Sequence, residues 1–262
     1  MKITVCVKQV PDTNDIKWTE NNTLKREGAE SIINPYDEYA IETALRIKEK
    51  LGGEVIALSM GPKQVEIMLK EVMATGVDKA YLLNDKFFAG ADTCATSRTL
   101  AYAVKTKLND SDLIICGQQA IDGDTAQTGP SLAQRLNIPV VSFVKEVEEI
   151  NEEFAILKRE TDYGYERIKV MLPAVICVLK NENTEIRIPT ISQRIETWDK
   201  KAEILTAEMI GADSSKTGFR GSPTSVINTF RPEGRINTEF YDNKSPNEAA
   251  VLIAEKINEL RL

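Results

Sequence analysis

The sequence predicts an α/β fold: a doubly wound parallel sheet, followed by an antiparallel hairpin and an extended C-terminal arm that ends in a helix. Apolar strand-like segments alternate with amphipathic helical segments up to about residue 140, which is typical of a parallel sheet covered by helices. Two strand-like segments then flank the turn TDYGY, which indicates a hairpin. A long polar stretch separates the hairpin from a last amphipathic segment, which indicates the arm and its helix.

The alternating half contains five strands and the helices between them. The best-signalled helix is NPYDEYAIETALRIKEKLGG, because Asn34 is placed as its N-cap and Pro35 falls at its first position. Asp37 adds negative charge to its first turn, and Gly52 stops it. The predicted strands are KITVCVKQV, EVIALSMG, KAYLLND, DLIICG and PVVSFVKEVEEI, and two further predicted helices are KQVEIMLKEVMATG and DTCATSRTLAYAVKTKL.

The second half departs from this alternation. We expect antiparallel strands throughout FAILKRETDYGYERIKVMLPAVICVLK, and a division into a domain of residues 1–186 and an arm of residues 187–262. Ser245 is placed to cap the last helix and Pro246 to begin it. A thin arm cannot bury the apolar stripe of this helix, so we expect it to pack on a partner chain, with packing on the main domain as the alternative. The stripe comprises Ala249, Leu252, Ile253, Ile257 and Leu260.

The composition narrows the functional classes. The 262 residues carry a formal net charge of −7, which argues against a general nucleic-acid binder. No apolar run approaches the roughly 18 residues of a membrane span, and the first residues run directly into a strand, so we expect a cytoplasmic protein without a signal peptide. The absence of histidine excludes a Ser-His-Asp triad within the chain and argues against a zinc site. We expect the four cysteines to be buried free thiols, and any chemistry to come from a bound cofactor.

The most informative loop is GQQAIDGDTAQTGP, which joins the fourth strand to a helix. It lacks the Gly-Lys-Ser/Thr ending of a P-loop and the spacing of a dinucleotide-binding turn. Gly123 and Gly129 allow a ligand to approach the backbone closely, and the helix that follows offers its positive end. The loop therefore predicts a phosphate or pyrophosphate site, with a capped turn that holds no ligand as the alternative. The side-chain donors are Thr125, Gln127 and Thr128.

The two carboxylates of this loop, Asp122 and Asp124, would repel a phosphate that they faced. We expect them to cap the helix, or to accept hydrogen bonds from ribose hydroxyls or neighbouring amides. Because the loops after the first, second and fourth strands end at the same edge of a parallel sheet, they should surround one ligand. Lys8 at that edge would face a phosphate or a flavin ring, or remain solvated.

Two other polar groups are weaker candidates. In FFAGADTCATS, Asp92 and Thr93 begin a helix whose positive end is open to an anion, although ordinary helix capping is the favoured interpretation. In the arm, Arg220 and Arg231 would contact phosphate or acidic partner residues, or remain solvated.

Four segments together resemble the beta subunits of electron transfer flavoproteins, and the resemblance spans essentially the whole chain. They are VCVKQVPD, NPYDEYAIE, GQQAIDGDTAQTGP and the hairpin KRETDYGYERIKVMLPAVICV. Tyr163 departs from the Gly or acidic residue usual in the hairpin turn. The resemblance implies an adenine-nucleotide-binding type of sheet, and a heterodimer with a larger alpha subunit that carries FAD and is embraced by the C-terminal arm.

The resemblance also implies site residues. It places the partner-recognition loop on IRIPTISQRI, with Ile188 as its apolar anchor. It places the nucleotide site at Cys6, Val7, Lys8, Asn34, Asp37, Met60, Gly61, Gly117, Gln118, Gln119, Ala120, Ile121, Asp122, Gly123, Asp124, Thr125, Ala126, Gln127 and Thr128.

Two branches of this family differ in their nucleotide. The segments IDGDTAQTGP and FAGADT resemble the electron-bifurcating branch, in which the beta subunit holds FAD and NADH reduces it. That branch implies ferredoxin or flavodoxin as one electron acceptor and an acyl-CoA dehydrogenase-like flavoenzyme as the other. The alternative is the branch with structural AMP, in which a residue with a side chain replaces Gly123. A third class, an ATP-binding regulatory domain of the universal-stress type, is disfavoured by the hairpin and the arm.

Overall fold

The computed structural model describes residues 1–12, 17–18, 24–25, 31–227, 240 and 244–259. Leu260 and Arg231, which were predicted to contribute to the last apolar stripe and to the arm, lie outside the described residues. The helices are α1 (Pro35–Leu51), α2 (Val65–Ala74), α3 (Thr93–Lys107), α4 (Thr128–Leu136), α5 (Ile191–Glu196) and α6 (Pro246–Glu259).

The strands form a nine-stranded sheet and two short two-stranded ladders. In chain order they are β1 (Lys2–Cys6), β2 (Gln9–Pro11), β3 (Lys17–Trp18), β4 (Leu24–Lys25), β5 (Ser31–Ile33), β6 (Glu54–Met60), β7 (Lys79–Leu83), β8 (Leu113–Gly117), β9 (Val140–Ile150), β10 (Phe154–Thr161), β11 (Gly164–Met171), β12 (Ala174–Val178) and β13 (Glu203–Leu205). The large sheet has the order β11-β10-β9-β12-β8-β1-β6-β7-β13.

The predicted fold class is confirmed. Seven neighbouring strands, from β9 to β13 in sheet order, pair in parallel, and β10 and β11 extend the sheet as an antiparallel hairpin. From β1 the chain proceeds outward to β6 and β7, then returns to β8 on the other side of β1. The strand order therefore reverses between β1 and β8, and a crevice opens beyond their carboxyl ends.

Helices cover both faces of this sheet. On β6, Val55 and Ala57 belong to one apolar core and Ile56 and Leu58 to the other, as the alternation of side chains along a strand requires. Helices α1 and α2 pack in the first core, and α3 and α4 pack in the second. The parallel strands are thus buried on both faces, which explains their almost continuous apolar sequences.

One predicted pairing is wrong. Residues 174–178 were expected to continue the antiparallel hairpin, but β12 runs parallel between β8 and β9. All five of its residues are buried, because the chain leaves the hairpin and enters the centre of the sheet. An apolar run of this length has the same sequence pattern in either position, so periodicity does not distinguish them.

The segment predicted as an arm is partly joined to the sheet. Strand β13 pairs in parallel with β7 at the sheet edge, and the sheet therefore includes residues beyond the predicted boundary at residue 186. That boundary stays a prediction. Further along, Ser245 and Glu248 form the expected cap at the start of α6, and α6 buries none of its described residues. Within the described residues, no helix combines the length and the hydropathy needed to cross a bilayer.

Candidate functional site

A cavity of about 470 Å³ lies beyond the carboxyl ends of β1, β6 and β8, where the strand order reverses. This volume falls within the range of about 300–1,000 Å³ that is usual for small-molecule and cofactor sites. The loops after these three strands meet around it, as the sequence predicted. The parallel arrangement is the cause, because it brings loops that are distant in the chain to one edge of the sheet.

Most of the predicted nucleotide residues line this cavity, although their role in binding stays a prediction. Those that line it are Cys6, Val7, Lys8, Asn34, Asp37, Met60, Gly117, Gln118, Gln119, Ala120, Gly123, Asp124, Thr125, Ala126, Gln127 and Thr128. Gly61, Ile121 and Asp122 are not among the lining residues. Gly61 instead packs against Val65 at the start of α2, where its backbone carbonyl accepts a hydrogen bond from the Asn84 side chain.

The start of α4 is the strongest anion-binding feature of the cavity. Gln127 occupies the N-cap position but makes no side-chain capping hydrogen bond. Gly129 is required in the first turn, because a Cβ there would lie 2.3 Å from Cys177 Sγ. The first turn therefore packs directly on the sheet while its uncapped amide end opens into the cavity. Such a helix end attracts phosphate through its N–H groups and its dipole.

The two loop carboxylates do not cap α4, contrary to one of the expectations. Asp122 instead accepts two hydrogen bonds from Lys8 Nζ, at 2.6 and 2.7 Å. Asp124 Oδ1 accepts from Gln119 Nε2 at 2.6 Å, which is the amide contact that the sequence left open. Asp124 and Ala126 both adopt positive φ, 52° and 53°, a conformation that costs side-chain-bearing residues energy. Strain of this kind is frequently concentrated at functional sites.

Asn34 joins the loops on either side of the crevice. It lies at the N-cap position of α1 but makes no side-chain capping bond there. Its Nδ2 donates to Gln119 O at 2.8 Å, and its Oδ1 accepts from Ile121 N at 3.1 Å. The side chain is almost fully buried, and besides these two contacts with the loop after β8 it hydrogen-bonds the Asp37 carboxyl group. The sequence position of Asn34 predicted a helix cap, but its side chain instead holds the loop that lines the cavity.

Asp37 connects the two strand ends between which the crevice opens. Its buried carboxylate accepts from the backbone N–H of Lys8 at 2.8 Å and from that of Gly117, so it bridges the ends of β1 and β8. Burial raises the pKa of Asp37 to about 7, although hydrogen bonds from Asn34 and from these two amides act in the opposite direction. The cavity thus contains a carboxyl group that titrates near neutral pH.

Replacing Asp37 with asparagine is expected to change how stability depends on pH. The pKa of Asp37 is raised in the folded state, so its contribution is present below the unfolded pKa of about 3.8 and is lost as pH rises toward 7. We expect the wild type to lose up to about 4 kcal/mol relative to Asp37→Asn between pH 4 and pH 7. Urea unfolding of both proteins across this range measures the difference.

The matched control for this prediction is Asp110→Asn. A hydrogen bond from the Lys2 ammonium lowers the pKa of Asp110 below 3.8, so the contribution of this exposed carboxylate is lost only at lower pH, and Asp110→Asn should follow the wild type between pH 4 and pH 7. Equal pH dependence in wild type and Asp37→Asn would contradict the titration of Asp37 near pH 7.

A second wall of the cavity was not predicted as such. It consists of the start of α3 and the segment of residues 217–226, called here the closing segment. Asp92 and Thr93, considered from sequence mainly as a helix cap, line the cavity together with Thr224 and Val226. Thr93 Oγ1 lies 3.2 Å from Thr125 Oγ1, so this wall meets the loop after β8 across the cavity. The remaining lining residues that were not predicted are Leu58, Ala91, Thr96, Leu100 and Cys116, and Gly129, which the sequence indicated as a point of close approach, also lines the cavity.

The four cysteines are free, as expected, but only Cys116 and Cys177 are buried, whereas Cys6 and Cys94 are partly exposed. Cys6, Cys116 and Cys177 occupy paired positions on the adjacent strands β1, β8 and β12. A hydrogen bond with Cys6, and burial, raise the pKa of Cys116 well above its ordinary value, and burial raises that of Cys177 to about 12. These two thiols are therefore held protonated at neutral pH. Within the part of the chain that the structure describes, no group of three His, Cys, Asp or Glu side chains is arranged to hold a metal ion.

Ile188 lies away from the cavity, in an exposed apolar surface that includes α5. The surface comprises Ile188, Ile191, Ile195 and Trp198, and Ile188 is 81% exposed. Arg187, which precedes it, is fixed by the buried carboxylate of Glu42 at 2.8 Å and by Glu49 at 2.7 Å. A complete capping box at Thr190 begins α5, and so the surface is presented by ordered backbone. Exposed apolar clusters of this kind are typical of protein–protein contacts.

Comparison with known proteins yields consistent matches. The family profile described as "Electron transfer flavoprotein domain" matches residues 21–203. The chain is 44% identical over 260 residues to the electron transfer flavoprotein subunit beta of Thermoanaerobacterium thermosaccharolyticum, which covers 98% of each chain. It is 43% identical over 261 residues to the caffeyl-CoA reductase-Etf complex subunit CarD of Acetobacterium woodii, covering 99% of this chain and 98% of that protein. It is 38% identical over 238 residues to the acryloyl-CoA reductase electron transfer subunit gamma of Anaerotignum propionicum, covering 88% and 89%.

Proposed function

The chain belongs to the electron transfer flavoprotein family as a beta subunit, and from this premise we propose that its cavity binds FAD that accepts electrons from NADH. The bound FAD would supply hydride acceptance and would divide the electrons between a ferredoxin or flavodoxin and, through the FAD of the alpha subunit, an acyl-CoA dehydrogenase-like flavoenzyme. The extent of the cavity carries this proposal, because the cavity continues beyond the phosphate-binding loop to α3 and the closing segment.

Residues around the start of α4 fit the pyrophosphate of such a cofactor. The uncapped N-terminal turn of α4 supplies backbone donors, and Thr125 and Thr128 add hydroxyls on the same side of the cavity. Gly129 keeps this turn against the sheet, so the donors lie at the floor of the crevice. Asp122 is held by Lys8 and Asp124 by Gln119, which reduces the repulsion that free carboxylates would exert on phosphate.

The far side of the cavity favours FAD over AMP. Beyond the α4 turn the cavity is also lined by Thr96 and Thr224, where the larger nucleotide would have further contacts. Gly123 lines the cavity, and a Cβ at this position would have no atom within 4 Å, so the backbone leaves open space there. Relatives named for a caffeyl-CoA reductase-Etf complex and for acryloyl-CoA reductase add support, since both names concern reduction of acyl-CoA compounds.

Lys8 is the residue we place beside the flavin ring. It lines the cavity at the end of β1, and its half-exposed ammonium pairs with Asp122. A positive charge at that position would favour electron uptake by the bound ring, and the pairing limits how strong this effect is. The role of this chain's residues is therefore to position the cofactor and to set its surroundings.

Two exposed surfaces suit the proposed protein partners. We propose that the apolar side chains of α6, among them Val251, Ile253 and Ile257, pack on the alpha subunit, because α6 buries none of its described residues within this chain. We propose that the surface around Ile188 docks the acyl-CoA dehydrogenase-like partner, since its apolar side chains are exposed on anchored backbone. Residues 1–186 would then supply most of the nucleotide site, residues 187–262 would bind partners and add the closing segment to that site, and the complex would work in the cytoplasm.

The purified heterodimer tests the proposal by its cofactor content and its spectrum. We expect two FAD per heterodimer after acid release, and bleaching of the flavin absorbance on titration with NADH. AMP is the alternative ligand, since the same phosphate donors and a cavity of about 470 Å³ also accommodate a mononucleotide. One FAD with one AMP, and no bleaching by NADH, would establish that alternative and overturn the proposal for FAD.

A further inference from the structure

The closing segment reaches the cavity from a distant part of the chain. Thr224 lies 132 positions after Asp92, yet their side chains are in direct contact, and both line the cavity. Val226 also lines the cavity although its side chain is largely exposed. The cavity is therefore completed by a segment that leads toward α6 and the proposed contact with the alpha subunit.

Asp92 holds the closing segment through its backbone N–H and one of its two carboxylate oxygens. Its Oδ2 accepts from both the N–H and the Oγ1 of Thr224, at 3.0 and 2.8 Å. Its backbone N–H donates to Ser222 Oγ at 2.8 Å. Its Oδ1 caps α3 by accepting from Ala95 N at 2.9 Å. The same carboxylate thus fixes the start of α3 and the closing segment.

These hydrogen bonds are made to a charged group. Burial acts to raise the pKa of Asp92, but the hydrogen bonds from Ala95 and Thr224 lower it below its ordinary value. Asp92 is accordingly ionised at neutral pH, and hydrogen bonds to an ionised carboxylate are stronger than those between neutral groups. The contact is also partly exposed, so solvent can compete for it and the contact can open.

The base of the closing segment is held separately. Phe219 N donates to Ala89 O at 2.8 Å, and Arg98 Nη1 donates to Lys216 O at 2.7 Å. Gly218 adopts a positive φ of 54° and approaches the backbone so closely that a Cβ would lie 2.3 Å from Phe87 O. Within the described part of the chain, the hydrogen bonds that hold residues 223–227 run from Thr224 to Asp92. The segment is thus fixed as far as Ser222, and among the described residues after it the hydrogen-bonded contact with the domain is that of Thr224 with Asp92.

We propose that Asp92 and Thr224 form a latch that closes the segment of residues 223–226 over the bound nucleotide and controls its release. The inference rests on the nucleotide-binding function proposed above.

Two substitutions open the latch by different routes. Asp92→Asn keeps an oxygen to cap α3, and asparagine is a good N-cap residue, but it replaces the acceptor of the two Thr224 hydrogen bonds by an amide. Thr224→Val removes one donor, preserves the side-chain shape and leaves the α3 cap unchanged. Asp213→Asn is the matched control, because it removes the same charge from an exposed site that Ser215 and Lys216 contact.

The readout is the release rate of radiolabelled AMP and, in parallel, radiolabelled FAD from the heterodimer after addition of excess unlabelled nucleotide. The FAD phase that AMP competes away belongs to this cavity and not to the alpha subunit. We expect release to be roughly tenfold faster in Asp92→Asn and severalfold faster in Thr224→Val. The double variant should be no faster than Asp92→Asn, since both changes remove one contact. The control should release nucleotide at the wild-type rate.

Hydrogen exchange separates a latch from a merely structural contact. In the wild type, the amide of Thr224 should exchange more slowly with nucleotide bound, and Asp92→Asn should abolish this protection. Wild-type release rates in both Asp92→Asn and Thr224→Val, with nucleotide still bound, would overturn the latch while leaving the proposed function intact. Failure of the wild-type protein to bind either nucleotide would instead refute the proposed function. If Asp92→Asn does not fold, Thr224→Val decides the question.

Discussion

Replacing Gly117 with alanine is expected to destabilise the protein and to empty its nucleotide site. Gly117 ends β8, and a Cβ at this position would lie 2.3 Å from Asp37 Oδ1 and 2.7 Å from the Cβ of Tyr36. The first turn of α1 cannot retreat, because α1 packs against β1 and β8 through the buried core. The added methyl group must therefore displace the carboxylate that bridges Lys8 and Gly117.

The size of this effect follows from overpacking. Insertion of a methyl group into a well-packed region costs about 1–3 kcal/mol, which corresponds to a fall of roughly 2–10 °C in the apparent Tm of a protein of this size. Movement of Asp37 also shifts the ends of β1 and β8, so we expect nucleotide content after purification to fall at least about tenfold. Thermal unfolding and acid release of nucleotide measure the two effects.

Gly123→Ala is the matched control for Gly117→Ala. Both glycines line the cavity, but a Cβ at Gly123 would have no atom within 4 Å. The control should therefore keep the Tm and should lose far less nucleotide than Gly117→Ala. If Gly117→Ala kept both as well, the close approach of α1 to β8 would not be what shapes the crevice.

Sequence reasoning succeeded where the signals were local. The loop of residues 117–128 was placed correctly because a strand, a run of small polar residues and a helix follow one another directly. The same reasoning identified Asp92 as the cap of α3, and the capping bond to Ala95 confirms it. Parallel topology then requires the loops after β1, β6 and β8 to meet, so the location of the cavity also followed.

The errors share a physical cause. Side chains that were expected to hydrogen-bond near their own position in the sequence instead hydrogen-bond to residues far away in the chain. Asn34 was expected to cap α1 but instead holds the loop after β8, 85 positions away. Asp122 was expected to cap α4 or to accept hydrogen bonds from ribose hydroxyls or neighbouring amides; it does not cap α4, and its carboxylate accepts from Lys8, 114 positions away. Asp92 caps α3 as expected, and its carboxylate also accepts a hydrogen bond from Thr224. Residues that cap helices have short polar side chains, which can also hydrogen-bond to other partners. When folding brings such a partner within reach, the local sequence pattern no longer predicts which hydrogen bond forms.

Enlarging the side chain at Gly123 is expected to select AMP over FAD. The structure gives no packing reason for glycine at this position, since a Cβ would have no atom within 4 Å and its φ is not in the left-handed region. The position lines the cavity, so the absence of a side chain there leaves space that a ligand can occupy. In the series Gly123→Ala, Gly123→Asn and Gly123→Gln, stability should stay constant within about 0.5 kcal/mol, as is usual for exposed substitutions.

Cofactor content should respond to the same series in a graded way. We expect FAD in the beta subunit to fall progressively, to about a tenth or less in Gly123→Gln, while AMP bound in competition stays constant or rises. The FAD of the alpha subunit provides an internal reference in the same sample, because the substitutions lie in the beta subunit and leave the alpha subunit unchanged. Bleaching by NADH should decline in proportion to the FAD lost from the beta subunit. Equal loss of FAD and AMP would mean that Gly123 serves the phosphate-binding turn that both nucleotides share. If the series had no effect, Gly123 would not determine which nucleotide binds. The selectivity would then depend on the opposite wall of the cavity, which Thr93, Thr96 and Thr224 line.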